Sequence, residues 1–234
     1  MVEESGCMFK MPIQRTDGNG VATLSAAILS ALRKDRRTTA RLRERPASPV
    51  IIASYNVHKC VGVDNRYDPA RVAGVIAEID ADIIALQEVD RRFGNREGTM
   101  DLVRLEQDCG LIPVPLSPTA RGHGWHGNVV LFRQGQVADL HQIRLDGVEP
   151  RGALIVDLDL KAGPLRVVAA HFGLLRRCRN RQAEAILAAV QARDPRPTLI
   201  MGDLNEWRLG RRSALRPLGA AFGPLDAALP SFPS

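Results

Sequence analysis

Cysteine is scarce and scattered. Cys7, Cys60, Cys109 and Cys178 form no CxxC pair, which argues against a zinc site and a disulfide framework and for reduced thiols in the cytoplasm. Aromatic residues make up only 4% of the chain, so no stacking platform for single-stranded nucleic acid is legible. No apolar run near the start is long enough to span a bilayer: Val21 to Leu32 falls well short of the ~20 residues a crossing needs. That run has Glu3 and Glu4 ahead of it and no basic region, which is unlike a signal peptide. No Gly-x-Gly-x-x-Gly follows a strand, so a dinucleotide site has no support.

What is present fits one globular domain with a tail: 234 residues, 45% hydrophobic and 25% charged. The net charge of +6 is unevenly placed. Residues 1–49 carry nine Lys/Arg against five Asp/Glu, leaving 23 against 21 for the rest. Residues 1–49 therefore read as a basic extension, flexible or partly helical, closed by Pro46-Ala-Ser-Pro49. Residues 50–234 read as the folded domain. The extension leaves nucleic acid and an anionic membrane surface both open as partners, with a cytoplasmic or membrane-peripheral location. No obligate protein partner is inferred.

From Val50 the pattern sharpens. Val50 to Val57 predicts a strand, and Asp68-Pro69 opens a helix whose apolar face is Val72, Val75, Ile76 and Ile79. Ile83 to Leu86 is the next strand, ending in Gln87-Glu88. Thr99 is expected to cap a short helix with Leu102 and Leu105 inward. Runs 128–133, 137–145, 152–160 and 165–171 read as strands joined by short turns, which favours antiparallel pairing. A helix over about 178–193 and a strand from Thr198 follow. The expectation is a mixed α/β fold with antiparallel pairs.

Polar residues collect at the strand ends: Asn56, Glu88, Asn128, His171, Asp203 and Asn205. In "LIMGDLNEW" the two-residue spacing of Asp203 and Asn205 puts both side chains on one face if the chain stays extended. Glu88, Asp203, Asn56 and Asn205 are hard oxygen donors. A few carboxylates plus amides suit Mg²⁺, which keeps waters and binds phosphate oxygens. His171 has the chemistry to steady a phosphate or relay a proton. Taken singly, each residue has an ordinary structural reading as a turn cap, solvated tip or core histidine. His58, His123, His126 and His141 are left with that reading, His126 as a candidate loop contact. The functional case rests on the set.

"LLRRCRNRQAEAIL" places Arg176, Arg177, Arg179 and Arg181 before and within a first helical turn. Positive charge there opposes the helix dipole. One reading is a tolerated, solvated basic turn. The other is an anion site in which N–H groups and guanidinium forks meet a phosphate, with Arg151 contributing.

These segments, "SYNVHK", "IIALQEVD", "GNVVLF", "VVAAHFGLLRRCRNRQ" and "IMGDLNEW", resemble the endonuclease/exonuclease/phosphatase superfamily in order and spacing. That superfamily includes pancreatic-type deoxyribonucleases, abasic-site endonucleases, inositol polyphosphate 5-phosphatases and neutral sphingomyelinases. The likeness covers residues 50–234 and is greatest to the small bacterial metal-dependent hydrolases. It implies a four-layer α/β sandwich of two mixed, largely antiparallel sheets. It also implies Mg²⁺ or Mn²⁺ at Glu88 with Asn56 close by. Catalysis would fall to His171, Asp203 and Asn205, with Asn128, Arg151, Arg176 and Arg177 toward the substrate phosphate.

The chain departs from the pattern at one place. The family's last strand carries Asp followed by His or Arg, and no such pair follows "GDLN"; Asp226 comes too early. The fold is therefore expected to be C-terminally incomplete. The expected activity is metal-assisted in-line attack of water on a phosphodiester, of nucleic acid or of a phospholipid head group. The alternative is a catalytically impaired phosphate-ligand-binding remnant.

Overall fold

The computed structural model of the protein describes residues 50–92, 94, 96–116, 123–208 and 210–223. The expected extension, 1–49, lies outside the described residues, as do residues 224–234. No helix among the described residues is long and apolar enough to cross a membrane.

Among the described residues, eight strands form two four-stranded sheets. The first contains β1 (Ile52–Asn56), β2 (Ile83–Gln87), β3 (Ile112–Pro113) and β4 (Val129–Phe132), in the order β1-β2-β4-β3. The second runs in sequence order through β5 (Gln136–Leu145), β6 (Arg151–Leu160), β7 (Gly163–His171) and β8 (Thr198–Asp203). Each sheet has one parallel pair, β1 with β2 and β7 with β8, and its other pairings are antiparallel. A helix lies between the members of each parallel pair in sequence: α1 (Pro69–Ile79) in the first, α3 (Arg176–Gln191) in the second. A shorter helix, α2 (Leu102–Cys109), precedes β3, and α4 (Gly219–Phe222) lies late in the chain.

Three apolar layers hold this together. Val72 and Ile76 of α1 and Leu105 of α2 pack on Ile84, Leu86 and Leu131. Ile83, Ala85, Val130 and Phe132 face Leu154, Val156, Val167 and Ala169 between the sheets. Ala183 and Ile186 of α3 cover Ile155, Val168 and Ala170. Alternate residues of β2 and β7 thus feed different layers, which is why the central strands read as unbroken apolar runs. Helix, sheet, sheet and helix make four layers, as expected.

Local sequence explains the boundaries. Asp68 caps α1 by accepting from the Arg71 N–H at 2.9 Å, with Pro69 at the first helical position. The cap of α2 is Asp101, not Thr99: Asp101 accepts from the Arg104 N–H at 3.0 Å. Thr99 instead donates its hydroxyl to the Val89 carbonyl at 2.9 Å, so it is spent on the loop after β2.

The short link at Gln134-Gly135 does not make a hairpin. β4 already pairs with β2 and β3, so both its edges are filled, and β5 joins the other sheet. Gly135 permits the crossing. Its φ is +124°, and a Cβ there would lie 2.6 Å from the Asp159 carbonyl oxygen.

Candidate active site

Parallel strands deliver the site. β1, β2, β7 and β8 end at one edge of the sandwich, and the antiparallel β4 and β6 begin there. Strand ends therefore supply Asn56, Glu88, His171 and Asp203, and strand starts supply Asn128 and Arg151. A crevice at the carboxyl ends of strands is a common place for ligands in α/β folds.

The second sheet's acid contacts the first sheet directly. Asn56 donates its Nδ2 to Asp203 Oδ2 at 2.9 Å, while its Oδ1 accepts from the His58 N–H at 3.0 Å. Those two bonds fix the orientation of the amide. Asp203 Oδ1 accepts from the Asn205 N–H at 3.1 Å. The chain is not extended through Asn205, as the spacing argument assumed. It leaves β8 at Asp203 in an Asx-type turn, Asn205 has φ +49°, and its Nδ2 donates to the Phe172 carbonyl at 3.0 Å. Gly202 prepares this corner. Its φ is +133°, and a Cβ would lie 1.9 Å from the Ala170 carbonyl oxygen, so only glycine fits.

His171 sits between the acids. Its Nε2 lies 3.6 Å from Asp203 Oδ2 and 4.0 Å from Glu88 Oε1. Arg151 Nη1 lies 2.9 Å from its Nδ1 and 2.7 Å from its Nε2. Glu149 steadies that guanidinium, accepting from Arg151 Nε at 2.9 Å. Burial, then the Arg151 charge, pushes the imidazole down to about 4 against the pull of Asp203 and Glu88. His171 is therefore neutral near pH 7.

Glu88 follows β2 in the left-handed region, φ +57°, a conformation that costs a non-glycine residue energy and clusters at functional sites. Lys59 Nζ holds its Oε2 at 3.0 Å, and Arg92 holds its Oε1 at 3.3 Å. Burial pushes its carboxyl up, but the charges of Lys59 and then Arg92 outweigh that and hold it below its ordinary value. Lys59 and Arg92 were not legible as site residues beforehand. Their signal is their place, three residues after Asn56 and four after Glu88. Asp90, Arg96 and His126 also line this pocket. Asp90 is buried and clasped by Arg96 at 2.9 and 3.0 Å.

The donor chemistry bears on a metal. Among the described residues no three His, Cys, Asp or Glu side chains form a metal-holding group. The donors at hand are the Glu88 carboxylate and the second lone pair of Asn56 Oδ1, with the Asp203 carboxylate beside Asn56. So few protein oxygens fit an ion that keeps most of its waters, as Mg²⁺ does, and fit poorly an ion that needs a full protein cage. The Glu88 carboxylate already draws two cations, Lys59 and Arg92.

Three expected phosphate contacts are placed differently. Asn128 is fully buried and donates to the Trp125 and Gly152 carbonyls, both at 3.1 Å. It ties the turn before β4 to the start of β6, and its Oδ1 has no partner among the described residues. Arg176 and Arg177 line a separate cleft at the start of α3. Arg179 is buried and donates to the Gly173 and Leu174 carbonyls, closing the loop after β7.

Carboxylates, amides, a neutral imidazole and guanidinium groups at paired strand ends define an α/β sandwich suited to anionic esters. The chain belongs to the Endonuclease/Exonuclease/phosphatase family, which it matches over residues 53–231. It is 28% identical over 174 residues to the uncharacterized protein YbhP of Escherichia coli (strain K12), covering 67% of each chain. It also resembles the endonuclease/exonuclease/phosphatase of Beutenbergia cavernae DSM 12333, with TM-score 0.52 and 24% identity over 71% of this chain and 50% of that one. The mannosyl-6-phosphatase Bt3783 of Bacteroides thetaiotaomicron VPI-5482 is similar at TM-score 0.54 and 16% identity, over 74% and 70%. These two structures speak for the fold alone. The chain spans about half the length of the Beutenbergia protein.

Proposed function

We propose that the protein is a divalent-metal-dependent phosphoesterase that hydrolyses a phosphodiester, of nucleic acid or of a phospholipid head group. The observation that carries this reading is the convergence of four strand ends. Asp203 meets Asn56 at 2.9 Å and His171 at 3.6 Å, and His171 meets Glu88 at 4.0 Å.

Glu88 and Asn56 would hold Mg²⁺ or Mn²⁺. The bound ion would supply charge neutralisation at a phosphate oxygen. Asp203 is aimed by Asn56 Nδ2 and the Asn205 N–H, and so stands ready to align a water and take its proton. Attack of that water on phosphorus forms one P–O bond and breaks the ester P–O bond opposite it. Neutral His171 donates a hydrogen bond to a phosphate oxygen, and Arg151 beside it adds full positive charge. Asn205, through the Phe172 carbonyl, keeps the β7 and β8 ends in register.

Hydrolysis of bis-p-nitrophenyl phosphate by residues 1–234 tests this, with Mg²⁺ or Mn²⁺, with EDTA, and with Asp203→Ala alongside. Metal-dependent turnover that the substitution abolishes is the expected result. EDTA-insensitive turnover, or turnover unchanged in the variant, would sink the reading. Folded protein that binds phosphate without turnover would favour a ligand-binding role instead. A steep fall of activity on DNA with salt assigns nucleic acid, and activity confined to lipid vesicles assigns lipid.

A further inference from the structure

A second basic feature lies apart from the Glu88–His171 pocket and shares no lining residue with it. Arg176, Arg177, Arg211 and Arg216 surround one cleft of about 700 Å³, with Asn180 and Ser213 among its other walls. The cleft is built from two segments tied to each other. Arg176 Nε donates to the Arg212 carbonyl at 3.3 Å, and Asn180 Nδ2 donates to the Ala214 carbonyl at 3.4 Å. Glu206 anchors the far wall. Its side chain is buried, and it accepts from the Ala214 N–H at 2.5 Å and the Arg208 N–H at 3.0 Å.

Charge balance sets this cleft apart. Ten arginines among the described residues have a carboxylate within ion-pairing distance. None of these ten is Arg176, Arg177, Arg211 or Arg216, and among the described residues no Asp or Glu lines the cleft. Like charges gathered in one concavity repel, and the cavity walls concentrate their field. The start of α3 adds to that field. This helix has no side-chain cap and no acid in its first turn, so its free N–H groups are uncompensated.

We infer that this cleft is a second anion site, taking a phosphate group between the guanidinium forks. Guanidinium recognises phosphate with two parallel hydrogen bonds, which a lone ammonium cannot do. Two sources share that chemistry: a soluble phosphorylated molecule, and the head group of an anionic lipid. Leu174 and Leu175 beside the arginines are 56% and 43% exposed, an arrangement that also suits a lipid surface. The inference does not depend on the hydrolytic reading, because binding is measured without turnover.

The test is calorimetric titration of residues 1–234 with pyrophosphate in EDTA, at fixed ionic strength, repeated with Arg177→Gln/Arg216→Gln and with Arg151→Gln. Among the described residues neither the Arg177 nor the Arg216 side chain makes a hydrogen bond or ion pair, so the double variant is expected to keep the fold. The expected result is saturable binding weakened about tenfold or more in the double variant and little changed by Arg151→Gln. Co-sedimentation with phosphatidylglycerol vesicles, against phosphatidylcholine vesicles, separates the sources. Vesicle binding that needs Arg177 and Arg216 assigns lipid, and pyrophosphate binding without it assigns a soluble ligand; both support the site. Absence of saturable binding to either probe overturns it. So does binding that survives the double variant and is lost with Arg151→Gln.

Discussion

The two parallel corners of the fold are built alike and finished differently. β1, α1 and β2 deliver Asn56 and Glu88; β7, α3 and β8 deliver His171 and Asp203. The acid of the first corner is gripped by cations, with Lys59 at 3.0 Å and Arg92 at 3.3 Å. The acid of the second corner is hydrogen-bonded by neutral donors, the Asn56 amide at 2.9 Å and the Asn205 N–H at 3.1 Å. Two carboxylates in one crevice are thereby suited to different work. On the proposed reading Glu88, which already faces two cations, is the group that holds the metal. On the same reading Asp203, its geometry fixed by those two hydrogen bonds, is the group that takes a proton from the water.

The sharpest way to break the comparison is to remove the second acid. Asp203→Ala is expected to lower kcat on bis-p-nitrophenyl phosphate by roughly 10²–10⁴-fold, the usual worth of a positioned base. A variant with wild-type kcat would remove Asp203 from the chemistry. The first acid should behave otherwise. Glu88→Gln is expected to raise the Mg²⁺ concentration for half-maximal activity by about 10–100-fold, the range seen when a metal site loses a supporting group. Lys59→Met should lower that concentration, because a competing cation is gone. If both substitutions moved the Mg²⁺ requirement in the same direction, the cation-ligand role of Glu88 would fail.

The corners also differ in backbone tolerance. At the end of β8, Gly202 lies against the Ala170 carbonyl with φ +133°. Gly202→Ala is expected to cost about 2 kcal/mol or more, from forced separation of β7 and β8 and the strained φ. Urea unfolding of the variant measures it. An unchanged midpoint would show that the corner yields without cost.

Much of this was legible in the sequence because both signals are local. Asp68-Pro69 announces a helix start by side-chain chemistry alone, and the runs at 83–86 and 167–170 are apolar on both faces because both faces are covered. Asn56, Glu88, His171 and Asp203 stood out as polar groups where apolar strands stop. The remainder depended on tertiary choices. A three-residue link at Gln134-Gly135 looks like a hairpin until β2 and β3 have filled the edges of β4. Thr99 and Asp101 are both good caps, and the loop after β2 had already claimed the threonine. Asn205 keeps its spacing from Asp203 but not an extended backbone, since its own N–H closes on the carboxylate. Arg176 and Arg177 are only five and six residues beyond His171, yet the turn into α3 carries them to another cleft. Sequence distance says nothing about which side of that turn they face.

The smallest expected effect concerns the imidazole shared by both corners. His171 titrates at about 4 in the folded protein against an ordinary value of 6.5, burial being the larger cause and Arg151 the next. Between those values the unfolded chain binds the proton and the folded one does not, so stability rises with pH there. The contribution is complete above about pH 6.5 and is lost as pH falls toward 4, on the order of 1–3 kcal/mol in all. Urea unfolding in EDTA at several pH values reads it as a slope. His171→Asn should flatten that slope, whatever it does to the absolute stability. Arg151→Gln should compress it, because without the guanidinium the folded imidazole titrates nearer its ordinary value. A slope identical in wild type and His171→Asn would mean that other groups carry the pH dependence, and that the neutral histidine is not what the two corners share.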